Sequence, residues 1–312
     1  MPSLSIHALF LLSLLSAVFS SPIAYPQINN ATPQSTDTTA IAQTAALQAS
    51  QQATVDPSST SLINGLLAAV FMAPAINMKV SALSDTLTAF EQGIATVLAV
   101  DTTSSSPTCA PMMVIFARGT TEPGNVGLVT GPPFFDALEA VMGAGAVSVQ
   151  GVEYGATITG FLQGGDPAGS VAMATMVEGT VQNCPNAKIV MSGYSQVSTS
   201  PAAFSNVLET KILDLETLKT PRTEFIEKGG QLIHNAAAML PSATMAKISS
   251  VVIFGDPNNG KPVAGADAAK TIVICHPGDN ICDGGDLVLL EHLTYSKDTV
   301  QVATFAASRA RA

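Results

Sequence analysis

Short apolar runs alternate with longer amphipathic stretches over the C-terminal two thirds of the chain. The short runs are apolar at consecutive positions, as expected for strands buried on both faces of a parallel sheet. They lie at residues 112–117, 146–149, 188–191, 251–254 and 271–275. The longer stretches, which predict helices, lie at residues 133–142, 168–181 and 231–240. The alternation predicts an α/β three-layer sandwich with a central, mostly parallel five-stranded sheet, whose active site lies at the carboxyl ends of the strands.

The N-terminal third of the chain follows other patterns. Residues 1–20 carry an apolar run too short to span a bilayer, then small residues, which predicts a secretory signal peptide; a buried helix is the alternative. Residues 21–61 are rich in Ser, Thr, Ala, Gln and Pro and predict a disordered leader. Residues 62–107 begin with helical spacing and end in a linker, which indicates a propeptide or a helical cap. The α/β domain is therefore expected at residues 108–312.

Composition narrows the class of protein. Hydrophobic residues make up 47% of the chain and charged residues 12%, so a large core can form. The net charge of −10 makes nucleic acid and anionic membranes poor partners, and no segment after the signal argues for stable membrane insertion. Four cysteines behind a signal peptide predict two disulfides in an extracellular protein. Their spacing does not suit a zinc site, and three pairings are open for Cys109, Cys184, Cys275 and Cys282.

One predicted strand ends in a candidate nucleophile. Ser195 follows a small residue and an aromatic, as at the strand-to-helix elbow of α/β hydrolases, although a structural serine is the alternative. Such a serine needs a base and an orienting acid, and in this fold class they follow in the order Ser, Asp, His. His292 fits the base and Asp279 the acid, although Asp279 also suits an ordinary turn. His234 lies in a helical pattern, and His276 directly follows a cysteine.

Four motifs occur in order along the second part of the chain. They are Ala-Arg-Gly-Thr-Thr-Glu at 117–122 with Gly-Asn-Val-Gly at 124–127, Gly-Tyr-Ser-Gln at 193–196, Cys-His-Pro-Gly-Asp-Asn-Ile-Cys at 275–282, and His-Leu-Thr-Tyr at 292–295. Together they resemble the fungal cutinase family, which also contains acetylxylan esterases. The resemblance runs from about Cys109 to Ala312.

The resemblance implies a lidless α/β hydrolase that transfers acyl groups without a metal or an organic cofactor. It implies the pairings Cys109 with Cys184 and Cys275 with Cys282. It also implies an oxyanion hole formed by Thr120 and the backbone amide of Gln196. The expected substrate is cutin or a similar aliphatic polyester, with acetylated xylan as the alternative. We expect the protein to act as a monomer.

The chain departs from the pattern after the nucleophile. Val197 lies where the elbow motif has glycine. The residues that follow, Ser-Thr-Ser-Pro at 198–201, are unfavourable for the start of the helix expected after the nucleophile. Removing residues 197–228 joins 193–196 to 229–231 and restores the complete motif. The removed segment of 32 residues holds nine charged residues, a much higher density than the rest of the chain. We interpret it as a translated, unspliced intron; a genuine lid is the alternative. The interruption also keeps open a function of another class, a catalytically impaired secreted scaffold or binding protein.

Overall fold

The computed structural model describes residues 63, 66, 67, 70, 76–82, 85–106, 108–162, 164–195 and 232–311. All of these belong to the second of two compact units, Ala53–Ala312, and the first unit, Met1–Gln52, lies outside them. The predicted signal peptide at 1–20, the leader at 21–61, Gln196 and the segment 197–228 also lie outside the described residues.

Strands and helices alternate along the described chain. In chain order they are β1 (Met78–Lys79), α1 (Asp85–Leu98), β2 (Met112–Ala117), α2 (Gly131–Met142), β3 (Val147–Gly151), α3 (Ile158–Leu162), α4 (Pro167–Asn183), β4 (Lys188–Tyr194), α5 (Leu232–Met239), α6 (Ser242–Met245), β5 (Ile248–Phe254), β6 (Thr271–Ile274), β7 (Leu287–Val288) and α7 (Thr299–Arg311). Short 3₁₀ turns lie at Val80–Ala82, Ala268–Lys270, Leu290–Leu293 and Tyr295–Asp298.

The central sheet has five strands in the order β3-β2-β4-β5-β6, and every neighbouring pair is parallel. All residues of β2 and β5 are buried, which explains why these strands are apolar at consecutive positions. The predicted α/β architecture with a five-stranded, mostly parallel sheet is confirmed.

Successive strand residues pack into different halves of the core, because side chains of a strand alternate between the two faces of its sheet. On one face, Val114 and Phe116 pack with residues of α2 and α7. On the other face, Ile115 and Ala117 pack with residues of α4 and α5. Helices therefore cover both faces, and the carboxyl ends of the strands are left for the loops that carry the candidate site.

Two disulfides brace the domain. Cys109 at the approach to β2 is bonded to Cys184 at the end of α4, and Cys275 after β6 is bonded to Cys282, seven residues later. Both are the pairings that the resemblance implied. The second closes a small loop beside the carboxyl end of the sheet.

The stretch before residue 108, which the sequence indicates as an extension, contacts the rest of the described chain at several points. β1 pairs antiparallel with β7, and Lys79 lies 3.7 Å from the carboxylate of Asp286. In α1, the hydroxyl of Thr88 donates a hydrogen bond of 2.8 Å to the carbonyl of Thr121. Ile94, also in α1, packs in a small apolar cluster with Leu128. Among the described helices, none combines the length and apolarity needed to cross a bilayer.

Candidate active site

Ser195 lies directly after β4 in a strained backbone conformation. Its φ is +57°, a region that non-glycine residues adopt at a cost of about 1–3 kcal/mol, and its amide donates to the carbonyl of Phe254 at 2.8 Å. Gly193 lies two residues earlier, where a Cβ atom would lie 2.9 Å from the Ala117 carbonyl oxygen and 3.1 Å from Ile233. Glycine is therefore required there, and the strand ends in the sharp turn typical of a nucleophile elbow.

The three residues that the sequence predicted as a triad come together here. His292 Nε2 lies 2.8 Å from Ser195 Oγ, and His292 Nδ1 lies 2.8 Å from Asp279 Oδ2. A carboxylate only accepts hydrogen bonds, so Nδ1 carries the proton and Nε2 is free to accept from the serine. Gly255, with φ +60°, allows this approach, since a Cβ atom there would lie 2.8 Å from the His292 ring. The group has the geometry of a nucleophile, a base and an orienting acid.

Asp279 is buried in the loop closed by the second disulfide, with 1% of its surface exposed. Burial by itself would raise the pKa of this carboxyl. Hydrogen bonds from His292, Tyr295 and the amide of Ile281 outweigh burial, so the pKa of Asp279 is lowered from its ordinary value. The carboxylate therefore stays ionised beside the imidazole, as an orienting acid must.

The loop after β2 is organised around the buried carboxylate of Glu122. It accepts hydrogen bonds from the amides of Gly119, Leu128 and Val129 at 2.7, 3.0 and 2.8 Å. Burial raises the pKa of Glu122, while these amides and the charge of Arg118 oppose the rise. These bonds fix the loop that carries Thr120, the residue expected in the oxyanion hole.

Thr120 lines the same cavity as Ser195 and His292. Its expected partner in the oxyanion hole, the amide of Gln196, lies outside the described residues. The cavity wall is mostly apolar around the catalytic groups. It is formed by Val80, Leu87, Glu91, Thr120, Glu122, Val129, Phe161, Tyr194, Ser195, Val288, His292 and Leu293.

Three of these wall residues come from the extension before residue 108: Val80, Leu87 and Glu91. The resemblance implies a lidless site, whereas here the extension contributes part of the wall of the cavity that Ser195 lines. Glu91 is only 7% exposed, and no other residue in the described part of the chain forms a hydrogen bond with its Oε2 atom. Burial, and then the charge of Glu122, raise the pKa of Glu91 well above its ordinary value.

The other two histidines among the described residues pair with carboxylates elsewhere. His234 Nε2 lies 3.0 Å from Asp256 Oδ2 at the end of β5, and His276 Nε2 lies 2.7 Å from Asp298 Oδ2. Of the three described histidines, the one that reaches Ser195 is therefore His292, which the expected order Ser, Asp, His predicted.

Two tyrosines of the site were not assigned a role from the sequence. Tyr194 stacks on the His292 ring at 5.2 Å and donates to its backbone carbonyl at 2.9 Å, and Tyr295 donates to Asp279. Both stand inside the motifs that carry the resemblance, which is the signal that could have found them. Glu91 lies in a segment without a motif, so only the fold reveals its burial.

Comparison with known proteins agrees with this geometry. The sequence model of the cutinase family matches residues 108–214 and 226–310. Cutinase pbc1 of Pyrenopeziza brassicae is 68% identical over 235 residues, which cover 75% of this chain and the whole of that protein. A cutinase of Botryotinia fuckeliana is 50% identical over 210 residues, 67% of this chain and 88% of that protein.

A solved structure is also similar. It is that of Trichoderma reesei cutinase in complex with a C11Y4 phosphonate inhibitor. The two chains are 36% identical, and the match covers 86% of this chain and 98% of that chain with a TM-score of 0.60. With the sheet, the two disulfides and the serine at the end of β4, these matches establish that the chain belongs to the cutinase family and is a carboxylic ester hydrolase.

Proposed function

We propose that this protein is a secreted serine esterase that hydrolyses cutin or similar aliphatic polyesters, with Ser195, His292 and Asp279 as its catalytic triad. The observation that carries the proposal is the unbroken line of contacts from Ser195 Oγ through the His292 ring to Asp279, each of 2.8 Å. An acyl-enzyme mechanism needs a nucleophile, a base and an orienting acid in this arrangement.

In the proposed reaction, Ser195 Oγ attacks the ester carbonyl while His292 Nε2 takes the serine proton. Asp279 stabilises the imidazolium, and donors from Thr120 and the Gln196 amide stabilise the oxyanion. His292 then gives the proton to the departing alcohol. Water, activated by His292, hydrolyses the acyl-enzyme and frees Ser195. The steps need no metal and no organic cofactor.

An aliphatic acyl chain is the substrate that the cavity favours. Phe161, Val129, Leu293 and Val288 line it beside Ser195, and apolar walls bind apolar chains by excluding water. The relatives named above carry the name cutinase, which supports the same substrate class. Acetylated xylan is the alternative substrate. Its acetyl group is short and would contact little of this apolar wall.

The segment 197–228 bears on activity. α5, the next described helix, packs against β4 so closely that a Cβ atom on Gly193 would lie 3.1 Å from Ile233, as the helix after a nucleophile elbow does. Residues 215–225, inside the segment, are left out of the match to the family, whereas 197–214 and 226–228 are included in it. The packing of α5 supports our hypothesis that the segment is an intron translated in error. We therefore propose that a chain without it hydrolyses esters faster than the chain that contains it.

The test compares the full chain, the chain lacking 197–228, and Ser195→Ala in both. Each is assayed on p-nitrophenyl esters from acetate to long acyl chains, on cutin and on acetylated xylan. We expect hydrolysis to increase with acyl length, to be higher without the segment, and to vanish with Ser195→Ala. Equal activity with and without the segment would refute the proposed impairment by the segment, whereas a preference for acetylated xylan would favour the alternative substrate.

An active-site-directed phosphonate distinguishes the enzyme from an impaired scaffold. Labelling of Ser195, located by mass spectrometry of peptides, supports the triad. Absence of labelling in both forms of the chain would favour a binding protein that keeps only the fold. Transcript sequencing across the segment gives the separate test of the intron, since messages that always retain these codons contradict it.

Secretion and the monomeric state belong to the same proposal. Two disulfides suit an oxidising, extracellular compartment. Among the described residues, four large apolar side chains are exposed, and each lies on a different helix: Val97, Val171, Met239 and Val300. The N-terminal sequence of protein from culture medium and its elution in size-exclusion chromatography test both statements; a dimer, or retention in cells, would contradict them.

A further inference from the structure

The carboxylate of Asp279 has a second side-chain partner besides the catalytic histidine. The hydroxyl of Tyr295 lies 2.5 Å from Asp279 Oδ2, the same oxygen that faces His292 Nδ1. The other oxygen, Oδ1, accepts from the amide of Ile281 at 3.0 Å. The triad mechanism described above uses Tyr295 nowhere, yet this side chain touches the atom on which the orientation of His292 depends.

A second contact fixes the direction of the Tyr295 hydroxyl. The backbone amide of His276 lies 3.1 Å from that oxygen and can only donate, so the hydroxyl accepts there. Its own proton is then directed to Asp279. His276 and Asp279 lie in the loop closed by Cys275 and Cys282. Tyr295 therefore ties two points of that loop together.

The ring of Tyr295 is held on several sides. It is fully buried and stacks on the His276 ring with centroids 4.2 Å apart and an interplanar angle of 22°. Tyr194 and Phe254 pack against it at 6.1 and 6.4 Å. The His276 ring is fixed in turn, by the Glu291 carbonyl and the Asp298 carboxylate, each at 2.7 Å. Because the ring is confined in this way, the Tyr295 hydroxyl can donate its hydrogen bond in one direction only, to Asp279.

From this geometry we propose that Tyr295 is a positioning residue for ester hydrolysis: its hydroxyl orients the Asp279 carboxylate toward His292 and stabilises its negative charge. The proposal rests on the proposed triad and deepens it. A carboxylate that receives a charge-assisted hydrogen bond binds a proton less readily, so Tyr295 extends activity toward acid pH. The lowered pKa of Asp279 agrees with this, since the Tyr295 hydrogen bond is among its causes.

The main test is Tyr295→Phe in the full chain, which removes one oxygen and keeps the ring. Without the hydroxyl, the pKa of the Asp279 carboxyl rises, because one of the hydrogen bonds that lower it is lost. We expect the acid limb of kcat/KM to move upward by about half to one pH unit. We expect kcat to fall several-fold with KM little changed, because Tyr295 is fully buried and is not among the residues that form the wall of the cavity at Ser195. The rate of phosphonate labelling as a function of pH gives the same curve where turnover is slow.

The matched control is Tyr154→Phe. The Tyr154 hydroxyl donates to the Arg118 carbonyl, so this variant also loses one protein hydrogen bond, but away from Asp279. It should keep the acid limb of the wild type. An equal displacement in both variants would indicate a general loss of rigidity and would overturn the proposal.

A second perturbation keeps every side chain in place and covers the case in which Tyr295→Phe does not fold. The chain has four tyrosines, and 3-fluorotyrosine can replace them all during expression. The fluorinated phenol is a stronger donor, so the acid limb should move to lower pH, the opposite direction from Tyr295→Phe. Repeating the replacement in Tyr194→Phe removes the other tyrosine that contacts His292.

The two proposals fail separately. If the phosphonate does not label Ser195 in the wild type, the triad itself is wrong. If labelling is normal and the acid limb is unmoved by 3-fluorotyrosine and by Tyr295→Phe, Tyr295 is merely structural and this inference alone is overturned.

Discussion

Replacing Glu91 of α1 should change how the free energy of unfolding depends on pH. It is 7% exposed and lines the cavity at Ser195 with Glu122, and its Oε2 atom has no hydrogen-bond partner among the described residues. A buried polar atom left unpaired costs about 1–3 kcal/mol. Because burial and the charge of Glu122 raise the pKa of Glu91, the folded chain keeps its proton at a pH at which the unfolded chain has released it.

The sign of the pH dependence follows from that difference. Below about pH 4.3, the ordinary value for glutamate, both states hold the proton and Glu91 adds no pH dependence. Above it the folded chain holds more protons than the unfolded chain, so stability falls as pH rises, by up to about 1.4 kcal/mol per pH unit. The loss ends once pH passes the raised pKa of Glu91. Glu91→Gln cannot ionise and should escape this loss.

Urea unfolding of the wild type and Glu91→Gln from pH 4.5 to 8 measures the effect. The free energies of unfolding should nearly coincide at the acid end and diverge as pH rises, with the variant the more stable, by up to about 1.4 kcal/mol for each pH unit between the ordinary glutamate pKa and the raised pKa of Glu91. Gln92→Ala, an exposed change one residue away in the same helix, is the control and should follow the wild type at every pH. Parallel curves for Glu91→Gln and the wild type would refute the reasoning.

Further predictions concern the disulfides and one glycine. Loop-closure entropy gives about 4 kcal/mol for the Cys109–Cys184 bond, which spans 75 residues, and about 2 kcal/mol for the Cys275–Cys282 bond, which spans seven. Replacing each pair by serine should therefore lower the denaturation midpoint more for the first, whereas kcat should fall more for the second, which carries Asp279. Gly127 has a φ of +71°, and Gly127→Ala would place a Cβ atom 2.2 Å from a Glu122 oxygen. The substitution should therefore lower the free energy of unfolding by at least about 1–3 kcal/mol, measured by thermal unfolding. An unchanged Tm would contradict the role of Glu122 in fixing its loop.

The strands and larger helices could be predicted where burial leaves a strong pattern. The run at 112–117 was predicted with the bounds that β2 has, and the run at 188–191 continues in the structure to Tyr194. α7 was not predicted, because its buried face is built largely from alanines such as Ala303, Ala306 and Ala310. Small side chains give a weak amphipathic signal even when helix and sheet pack closely.

The candidate site was predicted for a different reason. The residues of a triad keep recognisable neighbours, a strand before the serine and a cysteine loop around the aspartate, so local sequence points to them. Glu91 gave no such signal. Its helical pattern is that of any surface helix, and the cavity wall exists only after α1 and the β1–β7 pairing bring the extension to Ser195.

The amino-acid sequence by itself determined the fold class, the elbow at Ser195 and the residues available for an ester hydrolase, because these depend on local patterns of burial and on short motifs. The tertiary structure alone decided the strand order, the place of the extension in the cavity wall and the partners of Asp279 and Glu91. Contacts between residues far apart in the chain depend on packing and burial, and no local pattern records which distant side chain will fill a given space.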